Sequence, residues 1–240
     1  MIPINTQPIQ KAVAFDDGSE LQVHSVFYTI QGEGPFSGCP AVFVRLHGCN
    51  LQCPLCDTDY TSENIHWDVA MLAEHVFTQF PIEFGMGNAL CVITGGEPFR
   101  QNLTPFVIEL FKFGINVQVE TNGTLPPSPN LPSNVAVVCS PKAGKVNPKL
   151  HPYISAYKYV IKAGFPGTRI DDGLPIEALD HTSSPYVARP HAGYDGPIYV
   201  QPCDEQDPVK NKANLLECIK SSQKFSYIIQ VQLHKILGVL

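Results

Sequence analysis

Short apolar runs along this chain alternate with stretches whose apolar residues recur at helical spacing. Residues 22–30 and 41–46 (AVFVRL) read as strands. Residues 66–80 place Val69, Ala73, Val76 and Phe80 on one helical face. Residues 89–93 (ALCVI) are a short apolar strand. Residues 103–113 form a second helix, with Leu103, Phe106, Val107, Leu110 and Phe111 at helical spacing and Gly114 ending it. Strands follow at 115–119, 135–139, 157–161 and 198–201, then a helix at 209–222 and a last strand at 227–232. Strands separated by helices imply parallel pairing through crossovers. Short, nearly continuous apolar strands suit a sheet buried on both faces. The expected class is α/β, an open or partial (β/α)6 barrel with its polar motifs at the strand ends.

Residues 163–197 break this rhythm. They are rich in Pro, Gly, Asp and Ser, with one short helical piece expected at 176–179. They read as a loop-rich insertion, serving as a lid or as surface decoration, within a single domain covering 1–240. Composition narrows the function. A net charge of −6 without a basic run speaks against extended nucleic-acid binding, and a small anionic substrate met by one or two arginines stays possible. The longest apolar runs are too short to span a membrane, and the opening MIPINTQPIQ lacks a signal-peptide layout. Of the eight cysteines, Cys91, Cys139 and Cys218 lie in apolar segments and read as buried thiols. A reducing cytoplasm is the expected compartment.

Chemistry enters with Cys49, Cys53 and Cys56, in the run GCNLQCPLCDT that begins where AVFVRL ends. Three thiolates in one loop can hold three irons of a 4Fe-4S cluster and leave the fourth iron open to a ligand. A structural zinc site is the competing reading. It wants four ligands, for which Cys39 or His47 could serve as the fourth, although neither has a finger-like spacing and the chain has no second CxxC. The three cysteines alone leave both readings open. Three further segments follow strand ends: Thr94-Gly95-Gly96-Glu97-Pro98, Glu120-Thr121-Asn122-Gly123 and Ser140-Pro141-Lys142. Paired glycines allow close backbone approach to a ligand, with a carboxylate beside them to receive a cation. Taken singly, each segment is equally an ordinary turn or a solvated cation.

Taken in order, Ile30-Gln31-Gly32-Glu33-Gly34, VFVRLHGCNLQCPLCDT, TGGEP, ETNG, CSPK, Gln201-Pro202-Cys203-Asp204 and the tail IIQVQLHKILGVL resemble the 7-carboxy-7-deazaguanine synthase (QueE) family of the radical S-adenosylmethionine (SAM) superfamily. The resemblance runs from residue 30 to the end of the chain. It implies a lyase that contracts 6-carboxy-5,6,7,8-tetrahydropterin to 7-carboxy-7-deazaguanine with release of ammonia, in queuosine and 7-deazapurine biosynthesis. Its implied cofactors are a 4Fe-4S cluster on Cys49, Cys53 and Cys56, SAM, and Mg²⁺. It further implies a cytoplasmic homodimer that takes an electron from a flavodoxin or ferredoxin.

By position, the resemblance puts Ile30, Gln31, Gly32, Arg45 and Thr94 on the substrate, with Arg45 on its carboxylate. Thr58 would give its hydroxyl to Mg²⁺, with Asp57 ordering the surrounding water. Leu55, Cys56, Asp57, Gly96, Ser140, Pro141, Lys142, Gln201, Pro202, Cys203 and Asp204 would surround SAM. The carboxylate of Leu240 would fold into the substrate site. The long 163–197 segment, Cys203 and the Gly-Val-Leu ending depart from the family pattern. The alternatives are another small radical SAM enzyme, such as a glycyl-radical activase, or a zinc-stabilised module without catalysis. Gln31 to Gly34 and Thr58 speak against the first, and the absent second CxxC against the other.

Overall fold

The computed structural model describes residues 4–12, 17–81, 85–164, 166–181 and 186–239. The chain enters the sheet through a hairpin of β1 (Glu20–Ile30) and β2 (Pro40–Leu46), antiparallel, with Phe27 opposite Phe43. The short strand β3 (Ile65–Asp68) pairs antiparallel with the other edge of β1. It was hidden at the start of the apolar helical pattern. The helix α1 (Val69–Gln79) starts only where the Asp68 carboxylate accepts from the amides of Ala70 and Met71.

From β2 onward the sheet is parallel. β4 (Leu90–Gly95), β5 (Asn116–Thr121), β6 (Ala136–Cys139), β7 (Ile154–Ile161), β8 (Ile198–Pro202) and β9 (Ile228–Ile229) add in sequence order. The order β3-β1-β2-β4-β5-β6-β7-β8-β9 leaves β3 and β9 as free ends, so the barrel is open. α2 (Thr104–Lys112) crosses from β4 to β5, and α3 (Pro208–Phe225) from β8 to β9. Among the described residues the β5–β6, β6–β7 and β7–β8 connections carry no α-helix, which leaves the helical layer thinner than a full (β/α)6 repeat. The last strand is two residues long, and the expected strand 227–232 ends in the short helix α4 (Leu233–Leu237).

The two faces of the sheet differ. Val42, Val44, Leu46, Ile93, Val119 and Val137 pack against Leu72, Val76, Phe106, Val107 and Leu110 of α1 and α2. The opposite face is not the second apolar face expected of a doubly buried sheet. It carries Phe43, Arg45, Thr94, Glu120, Lys158 and Gln201 toward a cavity. A barrel left open and lined by helices on one side only has room for polar groups inside.

The 163–197 segment is not helical at 176–179. The Ile176 amide donates to the Gly167 carbonyl (3.0 Å), and the Val187 amide to the Ile176 carbonyl (3.0 Å). These cross-segment bonds replace the local bonds of a helix, and Leu179 and Asp180 turn the chain with φ of 53° and 56°. Arg189 grips the Asp172 carboxylate (2.7 and 3.1 Å), while Ser221 and Tyr227 donate to the carbonyls of Gly173 (2.8 Å) and Asp172 (2.7 Å). The segment is thereby pinned to α3 and to the strand that follows it.

Candidate active site

The cysteine loop leaves β2 and returns toward β3 without regular structure. Only one short turn lies inside it, from the Cys56 amide to the Cys53 carbonyl (3.1 Å). The loop is braced by the segment after β4. The Gly96 amide donates to the Leu46 carbonyl (3.2 Å), and the Glu97 amide to the Gly48 carbonyl (3.0 Å). A Cβ on Gly96 would lie 1.9 Å from the Gly48 carbonyl oxygen. One on Gly95, whose φ is +115°, would lie 2.4 Å from the Leu46 amide nitrogen. The glycine pair therefore serves first to let two backbones meet, although both glycines also line the cavity.

Glu97 does not wait for a cation as the sequence suggested. It is fully buried, and it accepts from the Phe99 amide (3.1 Å), the Thr121 hydroxyl (2.7 Å) and the Asn122 amide (2.8 Å). Its role is to tie the ends of β4 and β5 together. Asn122 then reaches Asn50 in the cysteine loop (2.9 Å), and Asn50 reaches Thr124 (2.8 Å).

All three thiols line one cavity of about 250 Å³. Burial holds them neutral in the absence of a metal charge. The Cys49 thiol is pushed up to about 12 and that of Cys53 to about 11, and that of Cys56 is raised too. Soft sulfur donors brought together at the head of a cavity, with a low-dielectric surround that a metal cation would relieve, fit an iron–sulfur cluster. Neither candidate fourth ligand takes part. The ring nitrogens of His47 are engaged with Gln10 (3.0 Å) and the Glu63 carbonyl (2.8 Å), and Cys39 packs beside Ala41 in the β1–β2 hairpin.

The same cavity is lined by Ile30, Gln31, Arg45, Thr94 and Thr58 among the expected substrate and Mg²⁺ residues. It is also lined by Leu55, Cys56, Asp57, Gly96, Ser140, Lys142, Gln201, Pro202, Cys203 and Asp204 among those expected around SAM. Gly32 and Pro141 stand behind the wall. A Cβ on Gly32 would collide with the His234 ring (2.0 Å), because α4 packs directly on that loop and Leu233 donates to the Gly32 carbonyl (3.2 Å). Leu240 lies outside the described residues. Leu179 of the 163–197 segment lines the cavity, and its carbonyl accepts from the Leu55 amide (3.1 Å), so this segment forms part of the wall.

The guanidinium of Arg45 sits over the Phe27 ring (5.2 Å), and its Nε is buried without a hydrogen-bond partner among the described residues. A buried donor left unpaired costs about 1–3 kcal/mol. It is the feature most in need of a ligand. Lys142, whose ammonium burial lowers from the usual lysine range, donates to the Ser140 hydroxyl (2.6 Å).

The sequence reading missed the polar centre. Lys158 pairs with Glu33 and lies 3.8 Å from Glu120. Gln201 and Gln232 donate to Glu33 (3.0 and 2.9 Å), Gln31 and Gln118 to Glu120 (both 3.0 Å), and Gln230 to Gln201 (2.6 Å). Burial opposes charge on Glu33, but the Lys158 ammonium outweighs it and holds the carboxyl down at about 2. Burial likewise opposes charge on Lys158, and Glu120 and Glu33 together raise it above the usual lysine range. The available signal was a lysine in the middle of the apolar strand SAYKYVI, since lysines are rarely buried unpaired. His234 lines the same cavity from α4, and burial lowers its pKa.

The chain is 41% identical over 229 residues to the 7-carboxy-7-deazaguanine synthase of Rhodospirillum rubrum, covering 93% of this chain and 94% of that protein. It is 35% identical over 239 residues to the Rickettsia prowazekii protein of the same name (96% and 93% covered). To that of Aquifex aeolicus it is 31% identical over 227 residues (90% and 92% covered). No family model matches. The crystal structure of QueE from Escherichia coli aligns over 90% of this chain and 95% of that one, with a TM-score of 0.66 at 24% identity, and so shares the fold.

Proposed function

Because this chain belongs to the 7-carboxy-7-deazaguanine synthase family, we propose that its cavity carries out that family's ring contraction with the residues assigned below. The family's reaction is the radical SAM conversion of 6-carboxy-5,6,7,8-tetrahydropterin to 7-carboxy-7-deazaguanine, with release of ammonia. Membership displaces both the activase and the zinc-module alternatives. The observation that carries the residue assignment is the unpartnered guanidinium nitrogen of Arg45, buried in the cavity that the three thiols share.

Cys49, Cys53 and Cys56 would hold the cluster, and the segments around Gly96, Ser140 and Gln201 would flank SAM. When bound, these groups supply one-electron chemistry that begins the rearrangement by removing a hydrogen atom from the substrate. The protein's own residues bind and orient. Arg45 receives the pterin carboxylate through charged hydrogen bonds, with the Phe27 ring holding the guanidinium in place. The side-chain oxygens of Gln31, Glu33 and Glu120 offer acceptors to the amino and N–H edge of the pyrimidine ring. Their geometry is set before substrate arrives, because Gln31 is held by Glu120 and the Glu33 amide, Glu33 by Lys158 and Gln201, and Glu120 by Gln31 and Gln118. His234 of α4 and Leu179 complete the cavity wall. Thr58, whose hydroxyl is 3.4 Å from Asp57, offers an oxygen ligand for Mg²⁺ at the cavity wall. A flavodoxin or ferredoxin supplies the electron, and the enzyme works as a cytoplasmic homodimer. No helix among the described residues is long and apolar enough to cross a membrane.

The reading is tested by anaerobic reconstitution with iron and sulfide, then incubation with SAM, dithionite, Mg²⁺ and 6-carboxytetrahydropterin, followed by mass spectrometry. Formation of the deazaguanine carboxylate in excess over SAM consumed is expected. SAM cleavage without that product would overturn the substrate. Arg45→Ala should weaken substrate binding by about 1.5–3 kcal/mol, the usual loss for a hydrogen bond to a charged group. Parent-like affinity in a titration would remove Arg45 from the substrate site. Thr58→Ala should retain the cluster and need more Mg²⁺ for half-maximal rate. An unaltered Mg²⁺ titration would exclude its hydroxyl as a ligand.

A further inference from the structure

The loop that carries the three thiols has few backbone bonds of its own, chiefly the Gly48 amide to the Tyr60 carbonyl (2.8 Å) and the Cys56 amide to the Cys53 carbonyl (3.1 Å), and its other buried peptide groups need partners from elsewhere. Many come from residues 5–11, far away in sequence. The Asn5 amide donates to the Pro54 carbonyl (2.9 Å), and its side chain to the Cys53 carbonyl (3.2 Å). Ile9 forms a parallel bridge with Cys49, and the Gln10 amide donates to the Cys49 carbonyl (2.7 Å). None of these N-terminal residues lines the cavity, so they brace the loop without touching what the cavity binds. The strap is anchored in turn by Arg100. Its guanidinium donates to the carbonyls of Gln10 (3.1 Å), Lys11 (2.8 Å) and His47 (2.8 Å).

Gln7 is the centre of this strap. Its side-chain oxygen accepts from the Tyr60 amide (2.8 Å) and the Thr61 hydroxyl (3.0 Å). Its side-chain nitrogen donates to the Thr58 carbonyl (2.9 Å) and to Asn5 (3.2 Å). Its own carbonyl accepts from Gln52, between Cys49 and Cys53 (2.6 Å). One amide side chain thus uses all four of its hydrogen-bonding positions, and the residue grips the thiol loop on both sides of Cys53 and Cys56.

We propose that Gln7 is a positioning residue for the cluster: by fixing the backbone at Thr58 and Tyr60 with its side chain, and the Gln52 side chain with its carbonyl, it sets the sulfur spacing of the loop and slows cluster loss. The inference rests on the radical SAM reading above. A side chain that could not reach Thr58 and Tyr60 would leave the segment after Cys56 less tightly held, and each outward excursion would expose an iron–sulfur bond to water.

The test compares the reconstituted full chain with Gln7→Ala and Gln7→Glu. It follows iron release to a ferrous chelator, the EPR spectrum of the reduced cluster, and thermal unfolding of the iron-free proteins. Gln7→Ala is expected to release iron about tenfold faster, the equivalent of one or two ordinary hydrogen bonds, with a broadened cluster spectrum. Gln7→Glu keeps acceptors for Tyr60 and Thr61 but loses the donor to Thr58, and should fall between the two. It also carries the test should the alanine variant fail to fold. The iron-free variants should unfold near the parent temperature, since the strap lies outside the core. Release at the parent rate overturns the proposal, as does faster release matched by equally destabilised iron-free protein. A parent that takes up no cluster would instead sink the radical SAM reading.

Discussion

Cys53→Ala protein, reconstituted with iron and sulfide, is expected to lack the visible absorbance of a cluster and to cleave no SAM. Cys53 is the central thiol of the loop, and it faces the cavity with Cys49 and Cys56. Two remaining thiols cannot hold three irons, and neither His47 nor Cys39 is placed to substitute. His47 is committed to Gln10 and Glu63, and Cys39 lies in the hairpin between β1 and β2. Cys39→Ala should accordingly keep the parent's iron, sulfide and activity, which makes it the matched control. Cluster absorbance or SAM cleavage surviving in Cys53→Ala would refute the assignment of that thiol.

Lys158→Ala should lower stability by about 3–5 kcal/mol at neutral pH, the range for removing one partner of a buried ion pair, and abolish substrate binding. Lys158 is the cation that faces both Glu33 and Glu120, and its loss leaves two carboxylates side by side in a cavity. Glu33 also contributes to the pH dependence. Its folded pKa, about 2, lies below the ordinary 4.5, so in the parent its contribution is fully present above about 4.5 and fades as pH falls toward 2. Without the ammonium, burial should raise that carboxyl above its ordinary range. The deficit of Lys158→Ala relative to the parent should then shrink on acidification, as Glu33 takes up a proton. Urea unfolding at neutral and mildly acidic pH checks both points. Equal stability of variant and parent at neutral pH would show that the pair contributes nothing net.

Much of this was legible from one-dimensional patterns. The parallel strands, α2 and α3 followed from apolar periodicity, because a helix or strand buries residues at a spacing set by its own backbone. The thiol loop was legible because side chains on one short segment stay near one another. Family resemblance was legible because the motifs keep their order. The residues read least well were those whose partner lies far along the chain. Glu97 looked like a cation receiver until Thr121 and Asn122 were seen to occupy its oxygens. The 176–179 segment looked helical until Gly167 and Val187 claimed its backbone.

Sequence by itself determined that three thiols, Cys49, Cys53 and Cys56, fall in one short loop, and the alternation of strand and helix that puts polar motifs at strand ends. Tertiary structure alone decided that Lys158 stands between Glu33 and Glu120, that His234 fills the space over Gly32, and that Gln7 holds the loop after Cys56. The physical reason is range. Periodicity and loop ligation act over a few residues, whereas the charge state of a buried carboxylate depends on whichever cation the sheet order brings beside it. For Glu33 that cation is 125 residues away along the chain.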